Sequence, residues 1–212
     1  MRRLLTALFL MMMVTTVLYA VGSAEYQFQI ASIPAATETL TISGKNDNRF
    51  KSETNYDFQD MVATYKTAGE LQNGNISVYN LQVQYNNNTT EVNCNIENDV
   101  VDYAFQDITG QIKSEKPLLL LDNNISWMWQ LIYDHYKKNE TKEFSVFVPQ
   151  LVVRDYYADN PLLELKIEKV THVDEWENLF FKYNGKSGLL KVDKAGNVQT
   201  MILDITYMER TR

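Results

Sequence analysis

The stretch PLLLLDNNISWMWQLIYDHYKK, residues 117–138, decides the fold. Its apolar residues keep helical spacing over several turns, at Ile125, Met128, Trp129, Ile132 and Tyr136. These positions, i, i+3, i+4, i+7 and i+11, fall on one face of an α-helix, so that face is strongly apolar. The spacing predicts one amphipathic helix over about residues 122–138.

Both ends of this helix carry matching signals. Asp122, Asn123 and Asn124 have side-chain oxygens that accept hydrogen bonds from the free N–H groups of a first helical turn. Lys137 and Lys138 bring positive charge to the last turn, where the helix dipole is negative. We therefore expect a capped start at residues 122–124 and an end near Lys138.

Segments on both sides of the helix alternate apolar and polar residues with period two. Leu81, Val83 and Tyr85 alternate in this way before the helix, and Phe144 and Val146 do so after it. Such alternation is typical of antiparallel strands with one wet face. The pattern predicts a mainly β fold, a β-rich α+β class. We expect a curved antiparallel sheet or half-barrel of about ten to twelve strands wrapped on one central α-helix.

Turn signals set the expected strand boundaries. The dipeptide Asn184-Gly185 predicts a tight hairpin. Residues 100–112 are interpreted as a short strand with its continuation, and residues 198–207 as one long strand. Residues 171–181 are ambiguous between a short helix and a loop leading into a strand. Pro149 interrupts a strand that resumes beyond it, so a bulge or an edge position is expected there.

The first 24 residues show the three parts of a secretory signal peptide. Two arginines precede an apolar run at residues 4–21, and the small residues Gly22, Ser23 and Ala24 follow. We predict cleavage after Ala24, a single domain over residues 25–212, an exported protein of the periplasm or the extracellular space, and no transmembrane span after cleavage. The alternative is an uncleaved anchor, because about 18 apolar residues approach the length that spans a bilayer.

The charge balance is acidic. The whole chain has a formal charge of −7, and residues 25–212 hold 18 basic and 27 acidic residues, a formal charge of −9. Binding to nucleic acid depends on clustered lysine and arginine, and the longest basic run after residue 24 is Lys137-Lys138. We therefore predict no nucleic-acid partner.

Residues that commonly bind metals or act as nucleophiles are scarce. The two histidines, His135 and His172, lack neighbours with metal-ligand spacing, so no metal site is predicted. Cys94 stands in an alternating stretch and is interpreted as a small apolar strand residue. Neither a glycine-rich phosphate loop nor a nucleophile motif is present, and we predict no cofactor.

Paired carboxylates are the remaining catalytic candidates. Asp155 with Asp159, or Glu175 with Glu177, could in principle cleave a glycosidic bond. Acidic residues are abundant in this chain, so the same pairs are typical of solvated loops. The sequence predicts no catalytic residue and a protein that is not an enzyme. A hydrolase acting through carboxylates is the least favoured function.

Three segments carry a resemblance to known proteins: PLLLLDNN at residues 117–124, FSVFVPQ at residues 144–150 and GLLKVDKAGNV at residues 188–198. In this order they resemble exported, uncharacterised bacterial families that are similar to half-open β-barrels of the periplasmic lipoprotein-carrier and glycolipid-binding type. The resemblance implies a curved sheet wrapped on a helix, a non-enzymatic binding role and work with membrane partners. It transfers no functional residue to this chain.

The apolar helix face is the predicted binding site. A lipid or other apolar small molecule would occupy a half-barrel cavity lined by Met128, Trp129, Ile132 and Tyr136. Trp127 and Trp129 cannot share one narrow face, so one of them is expected to border a second surface. Two alternatives stay open: the face is plain core, or the protein binds an envelope protein by strand addition at an exposed sheet edge.

Overall fold

The computed structural model describes residues 22–42, 48–58, 61–72, 74–86, 88–122, 126–154 and 161–212. These residues form fifteen strands in one sheet and two α-helices. The strands are β1 (Gly22–Ile30), β2 (Ile33–Ile42), β3 (Arg49–Phe58), β4 (Met61–Gln72), β5 (Asn75–Tyr85), β6 (Asn88–Glu97), β7 (Val100–Phe105), β8 (Ile108–Lys113), β9 (Leu118–Leu120), β10 (Glu143–Phe147), β11 (Leu162–Val173), β12 (Trp176–Tyr183), β13 (Lys186–Val192), β14 (Val198–Leu203) and β15 (Thr206–Arg210). The helices are α1 (Met128–Asn139) and α2 (Pro149–Arg154).

The sheet is a meander whose centre joins the first and last strands. Its order is β8-β7-β6-β5-β4-β3-β2-β1-β15-β14-β13-β12-β11-β10-β9. Neighbouring strands are antiparallel except β9 and β10, which are parallel because α1 connects them. The mainly β class is confirmed. The strand number is higher than the predicted ten to twelve, and one pair departs from the antiparallel pattern.

The two ends of the sheet overlap instead of joining. Strand β9 contacts β5, and α2 contacts β6. The ring centroid of Tyr103 on β7 lies 5.9 Å from that of Phe147 on β10. The described strands thus form a curved, unclosed sheet that is sealed by side-chain packing rather than by a final row of backbone hydrogen bonds.

Alternation along each strand creates the interior. On β3, Phe50, Ser52, Thr54 and Tyr56 are buried and the residues between them are exposed. Because successive side chains of a strand point to opposite faces, the even positions of β3 face the core. Burying a side chain as large as Phe50 contributes about 1.5–3 kcal/mol.

Helix α1 fills the interior but begins later than predicted. It begins at Met128, with Trp127 as the N-cap residue, and no side chain caps it. Asp122, the described residue of the predicted capping segment, precedes the helix by six residues and is not its N-cap residue, and Asn123 and Asn124 lie outside the described residues. The reason lies upstream, where residues 118–120 extend as β9 and pair with β10.

The end of α1 agrees with the prediction. Lys137 and Lys138 occupy the last turn, and Lys137 forms a 3.3 Å ion pair with Glu177 on β12. Glu140 follows in a left-handed conformation, and its N–H donates to the carbonyl of Tyr136. Positive charge at this end complements the helix dipole.

Three hairpin turns explain the underestimated strand number. Gln106, Asp174 and Asp204 adopt left-handed backbone conformations, with φ of 54° at each. They separate β7 from β8, β11 from β12 and β14 from β15, so residues 100–112, 171–181 and 198–207 each contain two antiparallel strands rather than the single strand or ambiguous segment predicted. The Asn184-Gly185 hairpin between β12 and β13 is confirmed.

Pro149 begins a helix rather than a bulge. Helix α2 follows β10 directly, and the strand predicted to continue beyond Pro149 is helical. Proline suits the first position of a helix because its fixed φ is helical and its missing N–H would have no partner there. The expected bulge or edge position is therefore wrong.

The predicted signal segment is only partly described. Residues 1–21 lie outside the described residues, and residues 22–24 begin β1, where Ala24 is buried opposite Leu40. Cleavage after Ala24 and the single domain over residues 25–212 stay predictions. Neither described helix has the length and apolar character needed to cross a membrane.

Aromatic rings cover glycines at three directly paired positions. The pairs are Phe50 with Gly69, Tyr103 with Gly110, and Phe181 with Gly188. A Cβ atom at any of these glycines would overlap ring atoms of its partner. An aromatic ring that lies flat across a glycine fills the space of the missing side chain and pins the strand register.

We predict that Gly188→Ala destabilises the protein by about 1–3 kcal/mol, because the added methyl group forces the Phe181 ring out of its packed position. Denaturant unfolding measures this loss. Ser187→Ala, an exposed change on the same strand, is the control and should alter the free energy of unfolding by less than about 0.5 kcal/mol. Equal stabilities of Gly188→Ala and the wild type would contradict the prediction.

Candidate functional site

A group of polar side chains lies inside the sheet beside the start of α1. It consists of Glu38 on β2, Ser52 on β3, Tyr79 on β5, and Asp122 and Ser126 in the segment between β9 and α1; we call it the inner polar cluster. All five residues are buried. Buried charged residues are uncommon in protein interiors, so this cluster is the chemically distinctive place in the described structure.

Strand periodicity places Glu38 in the interior. On β2 the inward positions are Ala36, Glu38 and Leu40, so an acidic side chain occupies a site between two apolar ones. Ser52 lies two strand positions from Phe50 and also faces inward. Neighbouring strands therefore bring the carboxyl and hydroxyl groups together on the same face of the sheet.

The carboxyl of Glu38 joins the sheet to the segment that begins α1. Its Oε1 accepts a 2.7 Å hydrogen bond from the Ser52 hydroxyl, and its Oε2 accepts one of 2.7 Å from the Ser126 backbone N–H. Burial raises the pKa of Glu38 from 4.5 to about 7, and the hydrogen bonds from Ser126 and Ser52 limit the rise. Glu38 therefore changes its protonation near neutral pH.

Tyr79 and Asp122 form the second polar contact of the cluster. The Tyr79 hydroxyl donates a hydrogen bond to Asp122 Oδ2, which ties β5 to the end of β9. The Asp122 N–H lies 3.0 Å from Met128 Sδ in the first turn of α1. Burial, followed by the negative charge of Asp122, raises the pKa of Tyr79 well above its usual value.

Further phenols and a thiol surround the two acids. Burial raises the pKa of Tyr26 to about 12 and raises that of Tyr56 further. Burial, with Asp122 as a smaller cause, raises the pKa of Cys94 on β6 to about 12. These groups stay protonated at neutral pH, so Cys94 is not an activated nucleophile.

Three buried polar atoms in or near the cluster lack a hydrogen-bond partner among the described residues. They are the hydroxyl of Thr67, which is opposite Ser52 in the β3–β4 register, the hydroxyl of Ser126 and the indole N–H of Trp127. An unpaired buried donor costs free energy comparable to a lost hydrogen bond. Among the described residues, hydrogen bonding is thus less complete around the start of α1 than in the rest of the interior.

The predicted ligand-binding residues lie at different places along α1. Met128 is buried beside Asp122, and Trp129 packs on Phe181 with ring centroids 5.2 Å apart. Ile132 lines a recess of about 10 Å³ together with Leu131, and Tyr136 is only partly buried. The other lining residues are Asn75, Ile76, Leu118, Leu119 and Leu120. The recess is about large enough for one water molecule, and the ligand-binding role of the four residues remains a prediction.

Both tryptophans at the start of α1 are buried, in opposite directions. Trp127 packs edge-on against Phe50 of β3 with centroids 4.7 Å apart, whereas Trp129 packs on Phe181 of β12. The two rings thus contact different surfaces, as expected, but both are buried, so neither of them lies at an open mouth or groove. Together they connect the two halves of the sheet through α1.

The carboxylates considered as catalytic candidates either form ion pairs or lie outside the described residues. Glu175 forms a 2.8 Å ion pair with Lys194, and Glu177 binds Lys137 and the Tyr133 hydroxyl. Asp155 and Asp159 lie outside the described residues. Within the described ranges, no group of three or more histidine, cysteine, aspartate or glutamate side chains is arranged to hold a metal ion.

Comparisons with known proteins support the fold alone. No family model and no curated protein matches the chain. One solved structure is similar: a β-barrel-like protein of the domain of unknown function DUF1849 from Brucella abortus, at a TM-score of 0.53 and 10% identity, covering 90% of this chain and 95% of that one. This similarity supports the β-barrel-like part of the expected resemblance. The lipoprotein-carrier type has no support at the level of sequence families.

We predict that the buried Glu38 makes the protein less stable as the pH rises from 4.5 to 7. In this range the folded protein retains a proton that the unfolded chain has released, so unfolding becomes more favourable with increasing pH. Relative to Glu38→Gln, the wild type should lose about 3 kcal/mol of unfolding free energy across the window. Denaturant titrations of both proteins between pH 4 and 8 test this, and a constant difference would contradict it.

We also predict that Tyr79→Phe destabilises the protein by about 1–3 kcal/mol, because the buried Asp122 carboxylate loses a donor that water does not replace. Thermal and denaturant unfolding measure the effect. Tyr85→Phe, at the exposed end of the same strand, is the control and should have little effect. Similar stabilities of the two variants would show that the Tyr79–Asp122 hydrogen bond does not stabilise the fold.

Proposed function

We propose that the protein is an exported, non-catalytic binding protein that takes up an apolar or amphipathic ligand between α1 and the inner face of the sheet. The recess next to Ile132 is the observation that carries this proposal. It lies where α1 meets β5 and β9, at the overlap of the two sheet ends. Its walls are mainly leucine and isoleucine side chains, which suit a lipid-like chain.

The recess can be enlarged because the two ends of the sheet overlap instead of joining. Parting β9 from β5 breaks side-chain packing, whereas opening a closed barrel breaks a full row of backbone hydrogen bonds. A lipid chain needs far more room than about 10 Å³, so uptake requires α1 or the β9 end to move outward. The described arrangement of α1 and the β9 end accordingly corresponds to the closed form of the proposed carrier.

A second candidate function is binding of a protein strand at the sheet edge. Strand β8 pairs with β7 alone among the described strands, so one side of its backbone is open to strand addition. The residues of β8 that alternate with the exposed ones are half-buried. A partner bound in this way would be an envelope or extracellular protein, and the interior would then act only as a core.

Native mass spectrometry of the protein purified from its own cells tests the carrier proposal. We expect a stoichiometric added mass that organic extraction releases as a lipid or another apolar molecule. A bare polypeptide mass, together with a stable protein partner recovered by cross-linking in cells, would overturn the carrier proposal in favour of strand addition.

We predict that Ile132→Ala weakens the binding of dodecanoic acid by about tenfold, because the ligand loses contact with several buried carbon atoms of the recess wall. Circular dichroism first identifies a pH at which the variant is folded. Tryptophan fluorescence then measures the dissociation constant at that pH. The matched control is Ile167→Ala, which removes an equally buried isoleucine from β11, away from the recess. Equal affinities of the two variants would place the site elsewhere.

A further inference from the structure

Helix α1 is tied to the far half of the sheet at its very beginning. The Ser126 N–H donates to Glu38, and Trp127, the N-cap residue, follows directly. Because no side chain of the helix itself caps its first turn, Glu38 supplies the anchoring carboxyl from β2. Ser52 holds the other carboxyl oxygen, so a single side chain links β2, β3 and the start of α1.

The groups that face Glu38 are acids, phenols and hydroxyls from several elements. Asp122, in the segment after β9, interacts electrostatically with Glu38, and so do Tyr26 on β1, Tyr56 on β3 and Tyr79 on β5. Arg210 on β15 acts on Tyr26. In the described part of the chain, the hydrogen-bond donors to Glu38 are a hydroxyl and a backbone N–H rather than a lysine or an arginine. An ionised Glu38 therefore lies beside another carboxyl group in a low-dielectric interior.

The closed contact also leaves a polar group unsatisfied. The indole N–H of Trp127 is buried next to this anchor without a partner among the described residues. Moving residues 126 and 127 outward would expose this N–H and the Glu38 carboxyl to water. Opening at the start of α1 therefore loses packing contacts, but it also lets these two polar groups form hydrogen bonds to water.

We propose that the contact between Glu38 and the Ser126–Trp127 turn is a pH-sensitive latch that keeps α1 closed in the protonated state and releases it as the carboxyl ionises. In the closed form the pKa of Glu38 is about 7, and in an open, hydrated form it returns to its ordinary value of 4.5. The open form then binds fewer protons between these values. Opening consequently increases with rising pH.

Most neighbouring titratable groups do not reproduce this direction, and the exception is Asp134 on α1, whose pKa is raised by burial. The surrounding tyrosines have raised pKa values and remain neutral below pH 8. His135, farther along α1, has its pKa lowered by burial and by Lys138, so its contribution to stability is lost as the pH falls. An increase of opening between pH 5.5 and 7.5 therefore identifies an acid with a raised pKa, and loss of this increase in Glu38→Gln assigns it to Glu38 rather than to Asp134.

Hydrogen exchange of the backbone amides of Ser126, Met128 and Trp129 tests the latch in the ligand-free protein. After correction for intrinsic rates, protection of these amides should fall about twentyfold between pH 5.5 and 7.5 in the wild type. In Glu38→Gln the change should be under about twofold, because glutamine imitates the neutral acid. Wild-type protection that does not change, or the same decrease in Glu38→Gln, would overturn the proposal.

Two further variants complete the test. Glu53→Gln changes an exposed acid on β3 and should keep the wild-type decrease. Ser52→Ala removes a donor to the ionised carboxyl, so it should move the decrease to higher pH, and an unchanged midpoint would count against the latch. Since no ligand is added, a failed latch leaves the binding proposal standing, and a bare polypeptide mass leaves the latch standing.

Discussion

The fold depends on how a wide sheet buries one face without closing on itself. Trp127 and Trp129 meet this constraint at the start of α1, one packed on Phe50 and the other on Phe181. These contacts connect strands that lie far apart in the sheet order. Large aromatic side chains bury extensive area and have few rotatable bonds, so they fix the distance between the sheet halves well. The curvature of the sheet and the packing of its overlapping ends follow from the way these two tryptophan side chains fill the space between the sheet halves.

The amphipathic helix and the mainly β class could be predicted because both depend on local periodicity. The helical spacing at residues 128–136 and the period-two alternation on β3 or β5 are visible in the sequence. The start of the helix could not be predicted in the same way. Residues 118–120 pair with a strand that follows the helix, and that pairing is a tertiary choice.

The missed hairpins have a local physical cause. Gln106, Asp174 and Asp204 take left-handed conformations without a following glycine, so the residue signal that marks a tight turn is absent. The inner polar cluster was missed for another reason. Glu38 occupies an inward position between Ala36 and Leu40, a conflict between residue type and strand pattern that was visible in the sequence. Its hydrogen-bond partners Ser126 and Ser52 could be identified only from the structure, because the fold brings them next to Glu38.

The pairing of β1 with β15 at the centre of the sheet also governs the order in which the protein folds. Most other strand pairs join neighbours along the chain, but this pair brings Glu25 next to Thr211, 186 residues away. Local hairpins form quickly, whereas closing so long a loop is entropically slow. The hairpins between β2 and β8 can form early in folding. The sheet reaches its full width only when β1 has paired with β15.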